Sequence, residues 1–188
     1  TGGTGGTGGT SGDGGAITTN SLKLYERIKK LREYGGNKYF YDEIGLNSRL
    51  DAIQAAILTV KLKYLDKWNS KRRKLALYYS KKINEEIPSI IKPVVINGVT
   101  PIYHLYVVRT QKRDQLAKYF EERGIQTGIH YSLPLHLQKS LKILGYKKGD
   151  FPVAEKSASE ILSLPMYPEL TRFQQNYIIR AIKEFYLK

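Results

Sequence analysis

The chain has 188 residues, a formal net charge of +14 and no cysteine. That length supports one good core, or one domain with part of another; the missing cysteine excludes disulfides, thiolate metal sites and a cysteine nucleophile. No apolar run approaches the ~20 residues that span a bilayer and no signal peptide is visible, so a cytoplasmic protein is expected.

The excess positive charge favours anionic partners, among them nucleic acid, anionic membranes and phosphorylated small molecules. Much of it lies in Lys71-Arg72-Arg73-Lys74, Lys81-Lys82 and Lys147-Lys148. Such runs on helices and turns are usually solvated surface. Charge alone does not decide.

Residues 1–11 are a Thr-Gly-Gly repeat. Glycine at that density has many backbone states to lose and little side chain to bury, so a disordered linker is expected and is set aside from the fold. Thr18-Thr19-Asn20-Ser21 then offers N-cap oxygens, and Leu24, Ile28 and Leu31 recur at helical spacing until Gly35-Gly36. A short amphipathic helix follows from that pattern.

Ser48-Arg49-Leu50-Asp51 resembles a capping box with aspartate in the glutamate position. Leu46, Leu50, Ile53, Ile57, Val60 and Tyr64 continue at spacings of four and three, with neither glycine nor proline until Pro88. Some forty helical residues are too many for an ordinary globular helix. A break near Lys67-Trp68-Asn69, in a helix leading from one domain into another, is expected.

Beyond Pro88 the pattern alternates. A strand is expected over 102–108, a helix over 113–122 closed by Gly124, and a second strand over 125–131. A helix around Leu137, Leu141 and Leu144 would end at Gly145, and Asp150 would cap another running to Ile161. Thr171-Arg172-Phe173-Gln174 is a capping box for a last helix with Ile178, Ile182 and Phe185 inward. The result is a compact α/β domain with a small sheet.

Two places carry chemistry. Gly45-Leu46-Asn47-Ser48-Arg49 precedes the long helix, where unpaired N–H groups attract anions; Asn47 adds an amide and Arg49 a fork suited to phosphate. A plain helix cap at Asn47 or Ser48 is the alternative. At the end of the second strand, His130 is a residue type suited to proton exchange and Tyr131 is a donor for an oxyanion or phosphate, although a strand-end histidine is often only structural. His136 lies in the same segment and leads a helix, where a plain surface residue is the alternative reading. No metal-ligand set, hydrolase elbow or P-loop is present.

Five segments in order and spacing resemble one family. They are Gly12-Asp13-Gly14-Gly15-Ala16-Ile17, the run from Ile44-Gly45-Leu46-Asn47 to Ala55-Ala56, Tyr103-His104-Leu105-Tyr106, the run from Gly128-Ile129-His130-Tyr131 to Leu137-Gln138, and Ser163-Leu164-Pro165-Met166-Tyr167-Pro168. Together they resemble the pyridoxal-phosphate-dependent sugar aminotransferases of the DegT/DnrJ/EryC1/StrS family, from Gly12 to the C-terminus.

The resemblance implies the C-terminal part of a type I aminotransferase fold: residues 12–68 as the tail of the large domain with the connecting helix, and 69–188 as the small α/β domain. It implies a homodimer, the cofactor pyridoxal 5'-phosphate, a nucleotide-linked keto sugar as substrate and glutamate as amino donor. Asn47 would contact the cofactor phosphate in the neighbouring subunit's site. His130 and Tyr131 would line the sugar-nucleotide pocket, with Arg49 a further candidate; Leu46 stands where an aromatic residue is common. The lysine that anchors the cofactor would fall near Gly6, inside the repeat, and the groups that pair the pyridine nitrogen and stack on the ring would come from an N-terminal half. No catalytic residue is therefore assigned, and the chain by itself is expected to be inactive. An isolated dimerisation or binding module and a basic nucleic-acid-binding domain are the alternatives. No specific nucleic acid and no membrane is expected as partner.

Overall fold

The computed structural model describes residues 14–37 and 39–187. The repeat expected to be a linker, with Gly12 and Asp13 of the first motif, lies outside the described residues. The chain divides into two compact units between Leu65 and Asp66.

In the first unit, α1 (Leu22–Arg32) starts at Ser21, whose hydroxyl accepts from the Leu24 amide at 3.4 Å. A short hairpin follows, β1 (Gly36–Asn37) antiparallel to β2 (Phe40–Tyr41). The chain then turns back so that the Leu46 and Ser48 amides donate to the Leu31 and Arg32 carbonyls at 2.8 and 3.0 Å. This return removes the expected capping box, because Ser48 is committed to the end of α1. The next helix, α2 (Ala52–Leu62), instead begins with Asp51 as its N-cap and no side-chain cap bond. Within this structure α2 buries none of its residues; Ile53, Val60 and Leu62 are exposed.

The long helical stretch breaks earlier than expected. The Lys63 and Tyr64 amides take carbonyls three residues back, Val60 and Lys61, which tightens the last turn and ends α2 before the Lys67-Trp68-Asn69 segment. Helix α3 (Leu65–Glu86) follows and turns Leu75, Ala76, Tyr79 and Ile83 into the second unit's core.

That core is built on a small sheet. Strand β3 (Tyr106–Arg109) pairs antiparallel with β4 (Ile161–Leu164), in the register Tyr106 opposite Leu164 and Arg109 opposite Ile161. Tyr106, Val108, Leu162 and Leu164 meet Leu116 and Phe120 of α4 (Arg113–Glu121) and Ile178, Ile179 and Ile182 of α6 (Arg172–Leu187). The capping box of α6 is reciprocal: the Gln174 amide donates to Thr171 Oγ1 at 3.2 Å and the Thr171 amide to Gln174 Oε1 at 2.9 Å. Fully buried Gln175 donates from Nε2 to the Leu75 carbonyl at 2.9 Å and ties α6 to α3.

Several expected elements differ. The first strand contracts to Tyr106–Arg109, and the strand expected over 125–131 reduces to one bridge, Gly128 opposite Ser163. Its place beside β3 is taken by β4, of which Ile161 alone is expected in a helix and Leu162 to Leu164 in no element. The helix α5 (Pro152–Glu160) stops one residue short because Ile161 turns extended and its amide closes on Ser157. Asp150 does not cap α5; its carboxylate accepts from the Lys147 amide at 2.9 Å, and Phe151 holds the N-cap position. The helix expected around Leu137 and Leu141 is two 3₁₀ turns, Leu135–Leu137 and Lys139–Leu144, closed by Gly145.

Candidate functional site

In the first unit a backbone contact sets the geometry. A Cβ at residue 45 would lie 2.1 Å from the Gly35 nitrogen and 2.6 Å from the Leu31 carbonyl oxygen. Only glycine lets the returning chain touch the end of α1 so closely. The contact fixes the backbone two residues before Asn47, which forms an antiparallel bridge with Glu33. Asn47 Oδ1 accepts from Arg49 Nε at 3.2 Å, and the Arg49 guanidinium lies 5.8 Å from the Tyr34 ring centre.

That pairing leaves Asn47 its NH2 group to offer beside the remaining guanidinium N–H groups, all on exposed residues. The set is made of donors and carries positive charge, which suits the oxygens of a phosphate. Helix α2 itself does not join this set. It begins five residues beyond Asn47 with the Asp51 carboxylate at its start, contrary to the expected anion site on the helix end.

In the second unit the bridge between Gly128 and Ser163 carries hydrogen bonds of 3.2 and 2.7 Å. His130 Nδ1 stands 2.9 Å from Ser163 Oγ, and the His130 and Tyr131 rings meet edge to face at 5.7 Å. Tyr131 is 73% exposed and stands on the rim of an open groove of ≈ 530 Å³ walled by Leu133, Leu135, His136, Phe151 and Ile161.

His136 is not a surface residue. Its side chain is 8% exposed, its Nε2 sits 3.1 Å from Glu155 Oε1, and its ring packs on Phe151 at 4.8 Å. The Gly149 amide donates to the same Glu155 oxygen at 2.7 Å. These bonds, Gly149 first, hold the Glu155 carboxyl below the usual carboxylate range against the opposing effect of burial. The cluster anchors the loop over α5.

Asn47 and Arg49 are thus joined in one unit, and His130 and Tyr131 in the other. Sequence reasoning passed over Ser163 and Glu155. Ser163 stood inside a recognised motif, but its bond to His130 spans 33 residues and leaves no local trace. Among the described residues no cluster of three or more histidine, aspartate or glutamate side chains could hold a metal, and no helix is long and apolar enough to cross a membrane.

The family model described as the DegT/DnrJ/EryC1/StrS aminotransferase family matches residues 8–183. The chain is 46% identical over 176 residues to a pleiotropic regulatory protein of Geobacillus stearothermophilus, covering 93% of this chain and 47% of that one. It is 41% identical over 174 residues to the dTDP-3-amino-3,4,6-trideoxy-alpha-D-glucose transaminase of Streptomyces venezuelae, with 92% and 46% covered. The crystal structure of S. venezuelae DesV in complex with a ketimine intermediate superimposes with a TM-score of 0.85 at 38% identity, covering 90% of this chain and 46% of that one. The chain spans about half the length of the curated relatives it matches.

Proposed function

The chain belongs to the DegT/DnrJ/EryC1/StrS aminotransferase family, and from that premise we propose that it is the C-terminal portion of a pyridoxal-phosphate-dependent aminotransferase acting on nucleotide-linked keto sugars. Glutamate is the amino donor, and the working enzyme is a cytoplasmic homodimer. Residues 12–68 close the large domain and 69–188 form the small one.

The Asn47–Arg49 pair is the observation that carries this reading within the chain. Its donors fit the phosphate end of the cofactor. Asn47 holds that phosphate through its amide, and Arg49 orients Asn47 while adding charge toward phosphate or substrate. When bound, pyridoxal phosphate supplies a ring that takes up the negative charge developed beside the transferred nitrogen. His130 and Tyr131 line the sugar-nucleotide pocket, His130 offering Nε2 and Tyr131 its hydroxyl.

The 188 residues do not turn over substrate by themselves. The place expected for the anchoring lysine falls in Thr-Gly-Gly repeat, and the first lysine in the chain is Lys23. No surface lysine substitutes, because placement to within about an ångström decides such chemistry.

Incubation with pyridoxal phosphate, borohydride trapping and peptide mapping tests this. Label spread over several exposed lysines, without turnover of a dTDP-linked keto sugar, is the expected result. Stoichiometric label on one lysine together with turnover contradicts it.

A further inference from the structure

We propose that Ser163 is a positioning residue: with the bare Cα of Gly128 it holds the His130 imidazole in one orientation, leaving Nε2 to a ligand. The ligand-facing half rests on the assignment of His130 to the sugar-nucleotide pocket. The clamp stands on geometry.

Ser163 is 5% exposed and sits in the strand Ile161-Leu162-Ser163-Leu164. A hydroxyl buried there is costly unless it is hydrogen-bonded, and its partner is His130 Nδ1 at 2.9 Å. The backbone bonds between residues 128 and 163 fix the two sides of the clamp relative to each other. The ring lies against Gly128: a Cβ there would stand 2.6 Å from Cε1, 3.3 Å from Nδ1 and 3.4 Å from Nε2. Any larger residue at 128 must therefore displace the imidazole or the backbone. A hydroxyl donates as readily as it accepts, so Ser163 holds the ring whether Nδ1 carries a proton or not. His130 itself is exposed, so a ring held this way still meets solvent or ligand.

The test is NMR on the chain with labelled histidine. The unmodified protein should show an Overhauser contact between His130 Hε1 and the Gly128 α-protons, and imidazole nitrogen shifts that depart from those of free histidine. Ser163→Ala should abolish the contact and move those shifts to free-histidine values. Ser163→Thr, which keeps a hydroxyl, should restore both. Gly128→Ala should displace the ring with the Ser163 hydroxyl intact, a second route if Ser163→Ala does not fold. Unchanged Tyr79–Tyr106 ring contacts certify the core in each variant. Persistence of the contact and shifts in folded Ser163→Ala, or an unmoved ring in folded Gly128→Ala, overturns the clamp.

Titration with dTDP separates the two halves. Movement of the His130 resonances in the unmodified chain, weakened in Ser163→Ala, supports the ligand-facing role. Unmoved resonances overturn that role and leave the clamp standing.

Discussion

Gly45→Ala tests how the first unit presents Asn47. The added methyl carbon would stand 2.1 Å from the Gly35 nitrogen, 2.5 Å from the Tyr34 carbonyl carbon and 2.6 Å from the Leu31 oxygen, and ordinary contact begins near 3.4 Å. These are backbone atoms, so no side chain can swing away, and the two segments must part by more than about 1 Å. Three hydrogen bonds cross that contact, from the Leu46, Ser48 and Tyr34 amides at 2.8, 3.0 and 3.1 Å. None survives such a separation with useful geometry. At about 1 kcal/mol each, losing two or three costs ~2–3 kcal/mol locally. Amide hydrogen exchange should therefore show the Leu46 and Ser48 protection falling roughly 30- to 150-fold. Amides of β3 and β4, in the other unit, should keep theirs. Undiminished protection at Leu46 and Ser48 would refute the claim that this glycine contact fixes the Asn47 backbone.

Three further outcomes concern the second unit. The Glu86 carboxylate accepts from Lys183 at 2.7 Å and Lys82 at 2.6 Å, which hold it down at about 2. Its contribution is present above the ordinary carboxylate value of ~4.3 and is lost as pH falls toward ~2; the urea-midpoint gap between the chain and Glu86→Gln should shrink across that window, and a constant gap would contradict the assignment. Burial raises the Tyr79 hydroxyl and pushes Tyr106 up to about 12 against the opposing bond from Ser80. The Tyr106 contribution is complete below ~10 and is lost as pH rises toward ~12, and that of Tyr79 persists to higher pH still, so ultraviolet titration should find these two tyrosines ionising only as the protein unfolds. Phe120→Ala, at a fully buried ring, should cost ~3–5 kcal/mol in chemical denaturation; a loss below ~1 kcal/mol would mean that this ring is not part of a close-packed core.

The elements legible in the sequence are those whose signals are local. Ser21 caps α1, Gly124 follows α4, and Thr171 with Gln174 closes a reciprocal box on α6. The elements that were misread depend on partners distant in sequence. Ser48 and Asp51 have the spacing of a capping box, yet the Ser48 amide is claimed by Arg32. Ile161 reads as the last residue of the α5 helix, and pairing with β3 makes Ile161 to Leu164 a strand. Ile125 to Tyr131 has strand-like residues, but of these only Gly128 forms a bridge to a strand. The candidate site divides the same way. Asn47, Arg49, His130 and Tyr131 stand out by residue type and family resemblance, whereas Ser163 and Glu155 are visible only once the chain has folded.

The central proposal is that these residues complete a cofactor-dependent sugar aminotransferase and supply Asn47 to it. The most direct measurement joins residues 16–188 to the remaining half of the S. venezuelae relative and follows cofactor retention alongside amino transfer to a dTDP-linked keto sugar. The account predicts a chimera that retains pyridoxal phosphate and turns over, and an Asn47→Ala form whose cofactor affinity falls by ~1–3 kcal/mol, the range for losing a hydrogen bond to a charged group. A folded chimera that neither holds the cofactor nor transfers an amino group, or one indifferent to Asn47→Ala, would contradict it.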